Sequence, residues 1–463
     1  MIPLTLAEIA EAVGGTLDGG ADPAATVTAA VVVDSRLVEP CGLFVARVGE
    51  EQDGHDYAGA AVEAGAAAVL AQRPVGVPAI VVADSERAFG LLARAVVDRL
   101  PKLTVVGVTG SSGKTSTKDL LAQVLEPLGP LVAPPGSFNT EVGVPLTVLR
   151  ADESTRTLVV EMGARGVGHI AYLCDIAPPT IGVVLNVGSA HLGEFGDRDT
   201  TARAKAELVE ALPAHGTAVL NGDDQLVRAM AEKTEATVLM VGESVHADIR
   251  AEDVSLDDHG HPAFELVTPE GRAPVRLTLV GEHHVGNALA AAGAAHALGM
   301  SAADIAARLE QAQARSRWRM EVTERADGVT VVNDAYNANP ESMRAALKAL
   351  AALGRGRRIW AVLGQMLELG DSSTAEHDAL GRLAVRLDVS RLVAVGEGAR
   401  PIQLGAAHEG SWGDEASWVP DADAALAILR AELRSGDVVL VKASRATGLE
   451  RLAEALVGED PQT

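Results

Sequence analysis

A glycine-rich stretch that ends in Gly-Lys-Thr has the residue types and spacing of a phosphate-binding loop. Residues 109–115 read Thr-Gly-Ser-Ser-Gly-Lys-Thr and follow the β-branched run 103–108, which is typical of a buried strand. A helical pattern starts directly after them. The backbone N–H groups of such a turn and the helix N-terminus attract phosphate oxygens. Lys114 could reach the β- and γ-phosphates and the Thr115 hydroxyl could bind Mg²⁺, so the sequence predicts a nucleoside triphosphate site.

Residue 108 departs from the strict form of this motif. The pattern G-x-x-x-x-G-K-[ST] places its first glycine at Val108, so Gly110 must form the turn instead. The alternative interpretation is a glycine-rich turn that only caps a helix. Because the strand, the Gly-Lys-Thr and the helix occur in register, the sequence favours phosphate binding.

Further polar residues occur where predicted strands end. Glu161 ends the strand 157–161, and His191 follows the strand 181–187. Since open α/β sheets bind ligands at the carboxyl ends of their strands, Glu161 is a candidate Mg²⁺ ligand and His191 a candidate active-site residue. The alternatives are a capping or surface acid at 161 and a structural histidine at 191.

Lys205 and Asn287 have weaker signals. Lys205 lies in a helical pattern, where a solvated lysine is the plain interpretation. Asn287 lies near the start of the alanine-rich helix 285–298, so it either caps this helix or contacts the edge of an adenine.

Polar motifs also follow strands in the last third of the chain. Arg319 could stabilise a transferring phosphoryl group across a domain cleft. Residues 334–340 read Asp-Ala-Tyr-Asn-Ala-Asn-Pro and precede a proline-initiated helix, and 363–370 and 441–445 likewise follow strands. A third domain with its own polar site indicates a third substrate, and hence ligation rather than phosphoryl transfer alone.

These motifs require α/β sheets that bring strand ends side by side. The patterns predict a small α/β domain at 1–100, a central domain at 101–315 with a mostly parallel sheet and helices on both faces, and a doubly wound, Rossmann-like domain at 316–463. Residues 244–282 interrupt the alternation, and we expect a β-meander there. The predicted C-terminal strands are 328–333, 358–363, 391–395 and 437–442, with helices at 341–353, 374–387, 421–434 and 446–456.

Composition restricts the class of protein. The 463 residues carry a net charge of −24, which argues against nucleic acid or an anionic membrane as a partner. Hydrophobic residues make up 48% and aromatic residues 3%, so the cores must consist mainly of Ala, Val and Leu. The two cysteines, Cys41 and Cys174, fit a reducing cytoplasm, and the N-terminus lacks a signal-peptide pattern. We expect a cytoplasmic protein without membrane insertion.

With these motifs the chain resembles the Mur ligases, the ATP-dependent amide-forming enzymes of peptidoglycan synthesis, along essentially its whole length. The general family features are 109–115, Glu161, 189–191, Lys205, Asn287 and Arg319. The features of the branch that adds a dipeptide are 138–145, 334–340 and 363–370. Asp-Ser-Arg at 34–36 and Asp-Gly-His at 53–55 resemble the family's uridine-diphosphate-binding domain.

The resemblance implies a role for each of these positions. Catalysis would involve Lys114, His191, Lys205 and Arg319. ATP would contact Gly110, Ser111, Ser112, Gly113, Lys114, Thr115, Ser116, Asn287 (adenine), Arg319 (phosphates) and Asp334 (ribose). Metal binding would involve Thr115, Glu161, His191 and Lys205. The other substrates would contact Asp34, Ser35, Arg36, His55, Asn139, Thr140, Tyr336, Asn337, Asn339, Lys442, Ser444 and Arg445.

The implied cofactors are ATP and two Mg²⁺ ions, with Lys205 carbamylated as in much of the family. The implied partners are UDP-N-acetylmuramoyl-tripeptide and D-alanyl-D-alanine, and the implied state is a monomer. The γ-phosphoryl group would pass to the tripeptide's terminal carboxylate, and the dipeptide amine would then displace phosphate. Arg319 on the third domain implies that the domains close before chemistry.

Other activities stay open at this point. A ligase of the same superfamily could add a single amino acid, as a UDP-N-acetylmuramoyl-dipeptide ligase or a folylpolyglutamate synthase does, although 334–340 and 363–370 argue against both. A P-loop kinase and an inactive scaffold that binds UDP-sugars are the alternatives from other classes. The sequence does not distinguish diaminopimelate from lysine as the third residue of the tripeptide.

Three positions depart from the family pattern. His284 replaces an Asn that is common there, which could alter adenine contacts. Ala443 replaces a Gly, which would strain the backbone if residue 443 needed a positive φ. Cys41-Gly42 replaces Gly-Asp.

Overall fold

The computed structural model describes residues 1–49, 52–188, 197–411 and 413–458. Within these ranges the strands form three main sheets of five, nine and six strands, each built from a separate stretch of the chain. Helices flank the sheets, which confirms the predicted α/β class. No helix in the described ranges combines the length and the apolar character that a membrane crossing needs.

The first stretch begins with the helix Leu6–Val13. Its start is fixed by reciprocal hydrogen bonds between Thr5 and Glu8, and its end by Gly14 at a φ of 65°. The five-stranded sheet is parallel except for one edge strand, in the order Thr16–Asp18, Ala79–Val81, Ala68–Ala71, Leu43–Val45 and Val31–Val32. A separate antiparallel pair joins Leu4–Thr5 to Thr26–Val27. The other helices of this stretch are Ala58–Glu63 and Ser85–Asp98.

The phosphate-loop strand is the seventh of nine strands in the central sheet and has parallel neighbours on both sides. In spatial order the strands are Gly271–Arg276, Pro262–Thr268, Ile249–Leu256, Thr237–Gly242, Thr217–Asn221, Ile181–Val184, Thr104–Thr109, Thr157–Glu161 and Leu131–Val132. The two pairings among the first three strands are antiparallel and the others are parallel. The predicted β-meander is therefore present, and it extends the central sheet.

Helices cover both faces of this sheet. Val106 and Val108 pack in a core with Leu120, whereas Val105 and Leu158 face the opposite core. The opposite core continues into the N-terminal stretch and includes residues of the helix Ser85–Asp98. The helices of the central stretch are Lys114–Val124, Gly143–Val148, His169–Ile176, Arg198–Glu210, Gln225–Arg228, His284–Ala297 and Ala302–Gln311.

The C-terminal sheet is doubly wound, as predicted. Its order is Glu321–Glu324, Thr330–Asn333, Val438–Lys442, Ile359–Leu363, Arg391–Val395 and Ala416–Val419, and only the first pair is antiparallel. The helices are Pro340–Leu353, Ser373–Arg386, Arg400–Glu409, Ala422–Glu432 and Glu450–Val457. The sequence analysis missed both edge strands and the helix Arg400–Glu409.

Short 3-10 helices connect several of these elements. They are Ser35–Leu37, Gly54–Tyr57, Glu126–Leu128, Ala229–Lys233, Gly370–Ser372, Glu397–Ala399, Gly413–Glu415 and Arg445–Thr447.

Candidate active site

The phosphate loop lies between the strand Thr104–Thr109 and the helix Lys114–Val124, as its pattern predicts. Gly113 has a φ of 81°, and a Cβ atom there would lie 2.5 Å from Oδ1 of Asn287. Glycine is therefore required by backbone conformation and by space. Lys114 Nζ donates to the Gly110 carbonyl oxygen over 2.7 Å, which keeps the ammonium over the loop. Burial lowers the pKa of Lys114, and the nearby charge of Glu161 opposes this effect.

A cluster of oxygen atoms forms where the helix begins. The Thr115 hydroxyl donates to Glu161 Oε2 over 2.9 Å and lies 2.8 Å from the Ser137 hydroxyl. Asn139 Nδ2 donates to the other carboxylate oxygen of Glu161 over 2.7 Å. Glu161 ends the strand Thr157–Glu161, next to the phosphate-loop strand, and is 1% exposed. Hydroxyl and carboxylate oxygens in this arrangement fit the ligand preference of Mg²⁺.

Lys205 is buried and faces the same cleft. It lies on the helix Arg198–Glu210 and is 5% exposed. Burial, and secondarily the charge of Lys114, lowers the pKa of Lys205 to about 7. A large part of this amine is therefore neutral near neutral pH, unlike that of a solvated lysine.

Two side chains from the C-terminal stretch reach the phosphate loop. Arg319 Nη2 donates to the Ser137 hydroxyl over 3.1 Å and lies 3.4 Å from the Thr115 hydroxyl. Its guanidinium carbon lies 4.3 Å from the centre of the Tyr336 ring. Asn339 Nδ2 donates to the Ser111 carbonyl oxygen over 3.2 Å. The cleft is therefore closed by residues from both sheets.

This cleft has a volume of about 400 Å³ and brings together most of the predicted site residues. Those that line it are Gly110, Ser111, Ser112, Gly113, Lys114, Thr115, Ser116, Asn139, Thr140, Glu161, Lys205, Arg319, Tyr336, Asn337, Asn339, Ser444 and Arg445. His191 lies outside the described residues.

Asn287, Asp334 and Lys442 do not line the cleft. Asn287 lines an adjoining cavity of about 500 Å³ together with Asn186 and His283. Lys442 Nζ lies 2.7 Å from Asp334 Oδ2, and the side chains of this ion pair are 1% and 10% exposed. Lys442 Nζ also donates to the Asn337 carbonyl oxygen over 2.9 Å, so this buried lysine binds the motif 334–340 at two points.

The predicted substrate residues of the N-terminal stretch do not line the cleft either. Asp34 and Arg36 pair with each other, with 2.6 Å between Nη2 and Oδ2, and hydrogen bonds from Arg36 lower the pKa of Asp34 to about 2. Ser35 begins the intervening 3-10 helix. His55 is buried; its Nε2 accepts from the Gln72 backbone N–H, which leaves Nδ1 to donate to Asp53. Both ring nitrogens of His55 are thus occupied within the fold.

Two residues of the site were missed by the sequence analysis. Asn186 Oδ1 accepts from the backbone N–H groups of Ser111 (3.0 Å) and Ser112 (2.9 Å), which fixes the shape of the loop. Asn186 follows the strand Ile181–Val184, so the strand-end rule could have found it. Ser137 contacts both Thr115 and Arg319 but lies in no motif that would have indicated it.

The three departures from the family pattern have different consequences. Ala443 is not among the described non-glycine residues with a positive φ, so it causes no strain, whereas Cys41 has a φ of 63° in a position that favours glycine. His284 packs against His283 with ring centres 4.2 Å apart and ring planes tilted by 38°. It lines a third cavity, whereas His283 lines the cavity of Asn287.

Comparison with known families accounts for most of the chain. Residues 28–107 match the Mur ligase family catalytic domain, residues 108–295 the Mur ligase middle domain, and residues 318–445 the Mur ligase glutamate ligase domain. The chain belongs to the Mur ligase family.

This Mur ligase is similar to characterised relatives over nearly its full length. It is 54% identical to the UDP-N-acetylmuramoyl-tripeptide–D-alanyl-D-alanine ligase of Mycobacterium bovis, with 99% of both chains covered. It is 34% identical to the enzyme of the same name from Escherichia coli, with 98% of this chain and 99% of that one covered. The resemblance inferred from the motifs is thereby confirmed.

Solved structures show the same architecture. MurF from Acinetobacter baumannii superimposes with a TM-score of 0.89 at 33% identity over 99% of both chains. MurF from Thermotoga maritima, in complex with ADP, gives a TM-score of 0.80 at 31% identity over 92% of this Mur ligase and 97% of that chain.

Proposed function

We propose that this Mur ligase joins D-alanyl-D-alanine to UDP-N-acetylmuramoyl-tripeptide in an ATP-dependent reaction, giving the pentapeptide precursor of peptidoglycan. The observation that carries the proposal is the single cleft lined by the phosphate loop, Glu161, Arg319 and the 334–340 motif. A kinase binds ATP and one phosphoryl acceptor, whereas a ligase must also bring a third substrate to the activated carboxylate. The names of the relatives support the same dipeptide as that third substrate.

The phosphates of ATP would lie against the loop 110–113 and Lys114. Asn186 accepts from the Ser111 and Ser112 N–H groups, so the phosphates are proposed to contact the backbone N–H groups of Gly113 and of the first helical turn. The adjoining cavity at Asn287 is the proposed position of the nucleoside. Asp334 would contact the ribose through its own carboxylate, which is held in place by Lys442.

Thr115 and Glu161 would hold Mg²⁺, with Ser137 as a further oxygen donor. The bound ions would neutralise phosphate charge in a protein whose net charge is −24. His191 and Lys205 complete the proposed ligand set. The neutral amine of Lys205 can attack carbon dioxide and lose a proton, and the resulting carbamate is an anion in place of a cation.

Arg319 would stabilise the transferring phosphoryl group. A carboxylate oxygen of the tripeptide attacks the γ-phosphorus and ADP leaves, which gives an acyl phosphate. The amine of the dipeptide then attacks the acyl carbon, loses a proton and expels phosphate. Arg319 lies close to Thr115, where the negative charge of the transferring phosphoryl group would develop. Its guanidinium would therefore stabilise the transition state more than the bound substrates.

The two peptide substrates would approach the cleft from opposite domains. On the C-terminal side the cleft is lined by Tyr336, Asn337, Asn339, Ser444 and Arg445, together with Leu367 and Glu368. This side is the proposed position of D-alanyl-D-alanine. Asn139 and Thr140 of the central domain would contact the tripeptide. Residues 34–36 and His55 of the N-terminal domain would contact the UDP moiety. The proposed domain boundaries are 100/101 and 315/316.

A cytoplasmic monomer is part of the same proposal. The UDP-linked substrate and the two free cysteines, Cys41 and Cys174, support a reducing compartment. The monomeric state rests on the family resemblance.

The proposal is tested by phosphate release from ATP and Mg²⁺, with UDP-N-acetylmuramoyl-tripeptide and D-alanyl-D-alanine added separately and together. We expect sustained release only with both substrates, and a product whose mass is the sum of the two less one water. Release with D-alanine alone as acceptor, or without any acceptor, would assign the chain to another activity.

A further inference from the structure

Residues 316–320, here called the strap, connect the central and C-terminal sheets and carry Arg319. Asp119 and Asp334 hold the two ends of the strap by its backbone, and Glu321 Oε2 accepts from the Trp318 N–H between them over 3.0 Å. The Ser316 N–H donates to Asp119 Oδ2 over 2.9 Å, and the Met320 N–H donates to Asp334 Oδ1 over 3.1 Å. Arg319 therefore lies between a fixed point on the central domain and one on the C-terminal domain.

The carboxylates of Asp119 and Asp334 are each paired with a buried lysine. Lys442 holds Asp334, and Lys118 pairs with Asp119 on the helix Lys114–Val124. The side chains of Lys118 and Asp119 are 2% and 9% exposed. Lys118 Nζ also donates to the Pro134 carbonyl oxygen over 2.8 Å and lies 3.3 Å from the Ser316 hydroxyl. A buried ion pair is a poor device for stability alone, because desolvation opposes its attraction, but it fixes one geometry well.

The strap itself adopts a backbone that its residues do not favour. Trp318 and Met320 have φ values of 58° and 50°, in the left-handed region, and they flank Arg319 on both sides. Such conformations persist where the surrounding structure imposes them, and they cluster at functional sites. In the strap the backbone is held by the contacts of Asp119 and Asp334 at its two ends and by the contact of Glu321 with the Trp318 N–H.

The Lys118–Asp119 pair lies one helical turn beyond the residues that face the phosphates. Lys114 and Thr115 occupy the first turn of this helix, and positions four residues apart lie on the same face. One helix therefore holds the phosphate site at its start and the strap one turn later.

We propose that Lys118 and Asp119 are positioning residues that set Arg319 on the phosphate site, and so couple the phosphate-loop helix to the C-terminal domain. They would contact no substrate and act only through the strap. This inference rests on the proposed function, since it concerns the step that Arg319 serves.

The test compares Asp119→Asn with the wild type in the ligation assay. Asparagine keeps the size of the side chain but presents an amide where Lys118 and the Ser316 N–H need a carboxylate. We expect kcat to fall about 10- to 100-fold, as for a catalytic group displaced by roughly 1 Å, with a much smaller change in the KM for ATP. Glu126→Gln is the matched control: Glu126 ties Arg308 and Arg315 to the end of the same helix without contacting the strap, and we expect kcat to stay unchanged.

A double-mutant cycle with Arg319→Ala separates positioning from a general structural effect. If Asp119 acts through Arg319, Asp119→Asn lowers kcat little further in the Arg319→Ala background. A loss of the same factor in both backgrounds, or an unchanged kcat in the single variant, would overturn the inference. If Asp119→Asn does not fold, Lys118→Met with Asp119→Leu replaces the pair by apolar side chains, and the same two criteria apply. A wild type without turnover would overturn the proposed function instead, so the two failures are distinguishable.

Discussion

Two sets of motif residues differ in the sequence separation of their hydrogen-bond partners. One set lies in the N-terminal stretch and the other in the cleft. Asp34 bonds to Arg36, and Asp53 to His55, each two residues away. In the cleft, Thr115 bonds to a residue 46 positions away, Arg319 to one 182 positions away and Asn339 to one 228 positions away. Pairing between near neighbours shapes a local turn. The long-range pairs of the cleft form only when the central and C-terminal stretches of the chain are assembled.

The difference predicts how each region responds to substitution. Local pairs at partly exposed turns are replaceable, because water and neighbouring backbone groups can take over their hydrogen bonds. In the cleft, Glu161 and Lys205 are buried and Arg319 is half-buried, and all three line one small volume. The loss of one such side chain removes a charge or a donor that nothing else supplies. Substitutions in the cleft should lower kcat, whereas substitutions in the N-terminal turns should lower stability and weaken binding of the UDP moiety without lowering kcat.

The largest effect is expected for Lys114→Ala. Loss of the ammonium over the phosphate loop should reduce kcat of ligation by roughly 10³-fold, the upper range for one preorganised donor. Far-ultraviolet circular dichroism and steady-state kinetics provide the measurement. Lys102→Ala, at an exposed position between the first two domains, is the control and should leave turnover unchanged. Equal losses in both variants would remove the distinction between cleft and surface lysines.

Arg319→Lys should have the next largest effect. Lysine keeps the charge but lacks the fork of donors and the planar face that lies on Tyr336, so we expect kcat to fall about 10²-fold. The control is Arg317→Lys, two residues away, whose guanidinium pairs with Glu454 outside the cleft. If Arg319→Lys is as active as Arg317→Lys, the closure of the cleft by the C-terminal domain is not part of catalysis.

Lys205→Arg should lower kcat by roughly 10- to 100-fold, because arginine cannot form the carbamate that would support the metal ions. Since the pKa of Lys205 is lowered to about 7, its amine is protonated below that pH and neutral above it. The carbamate carbon signal of protein in ¹³C-bicarbonate should therefore grow as the pH rises through about 7. The signal should be absent from the variant; a wild type without the signal at pH 8 to 9 would contradict the proposed carbamate.

The smallest effect on turnover is expected for His55→Ala. Both ring nitrogens bond within the fold, so the variant should lose about 1–3 kcal/mol of unfolding free energy, measured by urea denaturation, while kcat stays close to wild type. His215→Ala, at an exposed position, should change neither quantity. A large fall in kcat with unchanged stability would place His55 in the chemistry and break the comparison.

Local patterns account for the parts of the fold that the sequence predicts well. The helices at Leu6 and Pro340 begin at capping residues, Thr5 and Asn339, and the central strands are continuous apolar runs. The strand Glu321–Glu324 was missed because Val322 is its only apolar residue, as is typical of a solvent-facing edge strand. The helix Arg400–Glu409 was missed because Pro401 interrupts its helical pattern. This proline lies in the first turn, where proline is favoured.

The site was predictable only where its residues lie in motifs or at strand ends. Lys114, Thr115 and Glu161 were found in this way, and the cleft joins them. Ser137 could not be found, because its contacts with Thr115 and Arg319 depend on a loop path that no local pattern encodes. The strap contact between Asp119 and Ser316 spans 197 positions, and nothing in either segment indicates the other.

The most direct test of the account follows oxygen through the reaction. The tripeptide substrate is labelled with ¹⁸O in its terminal carboxylate, and the phosphate released during ligation to D-alanyl-D-alanine is analysed by mass spectrometry. Because a carboxylate oxygen attacks the γ-phosphorus and leaves with it, the account predicts one ¹⁸O atom in each phosphate released from fully labelled substrate. Phosphate without ¹⁸O, formed together with the pentapeptide product, would contradict the acyl-phosphate chemistry assigned to this cleft.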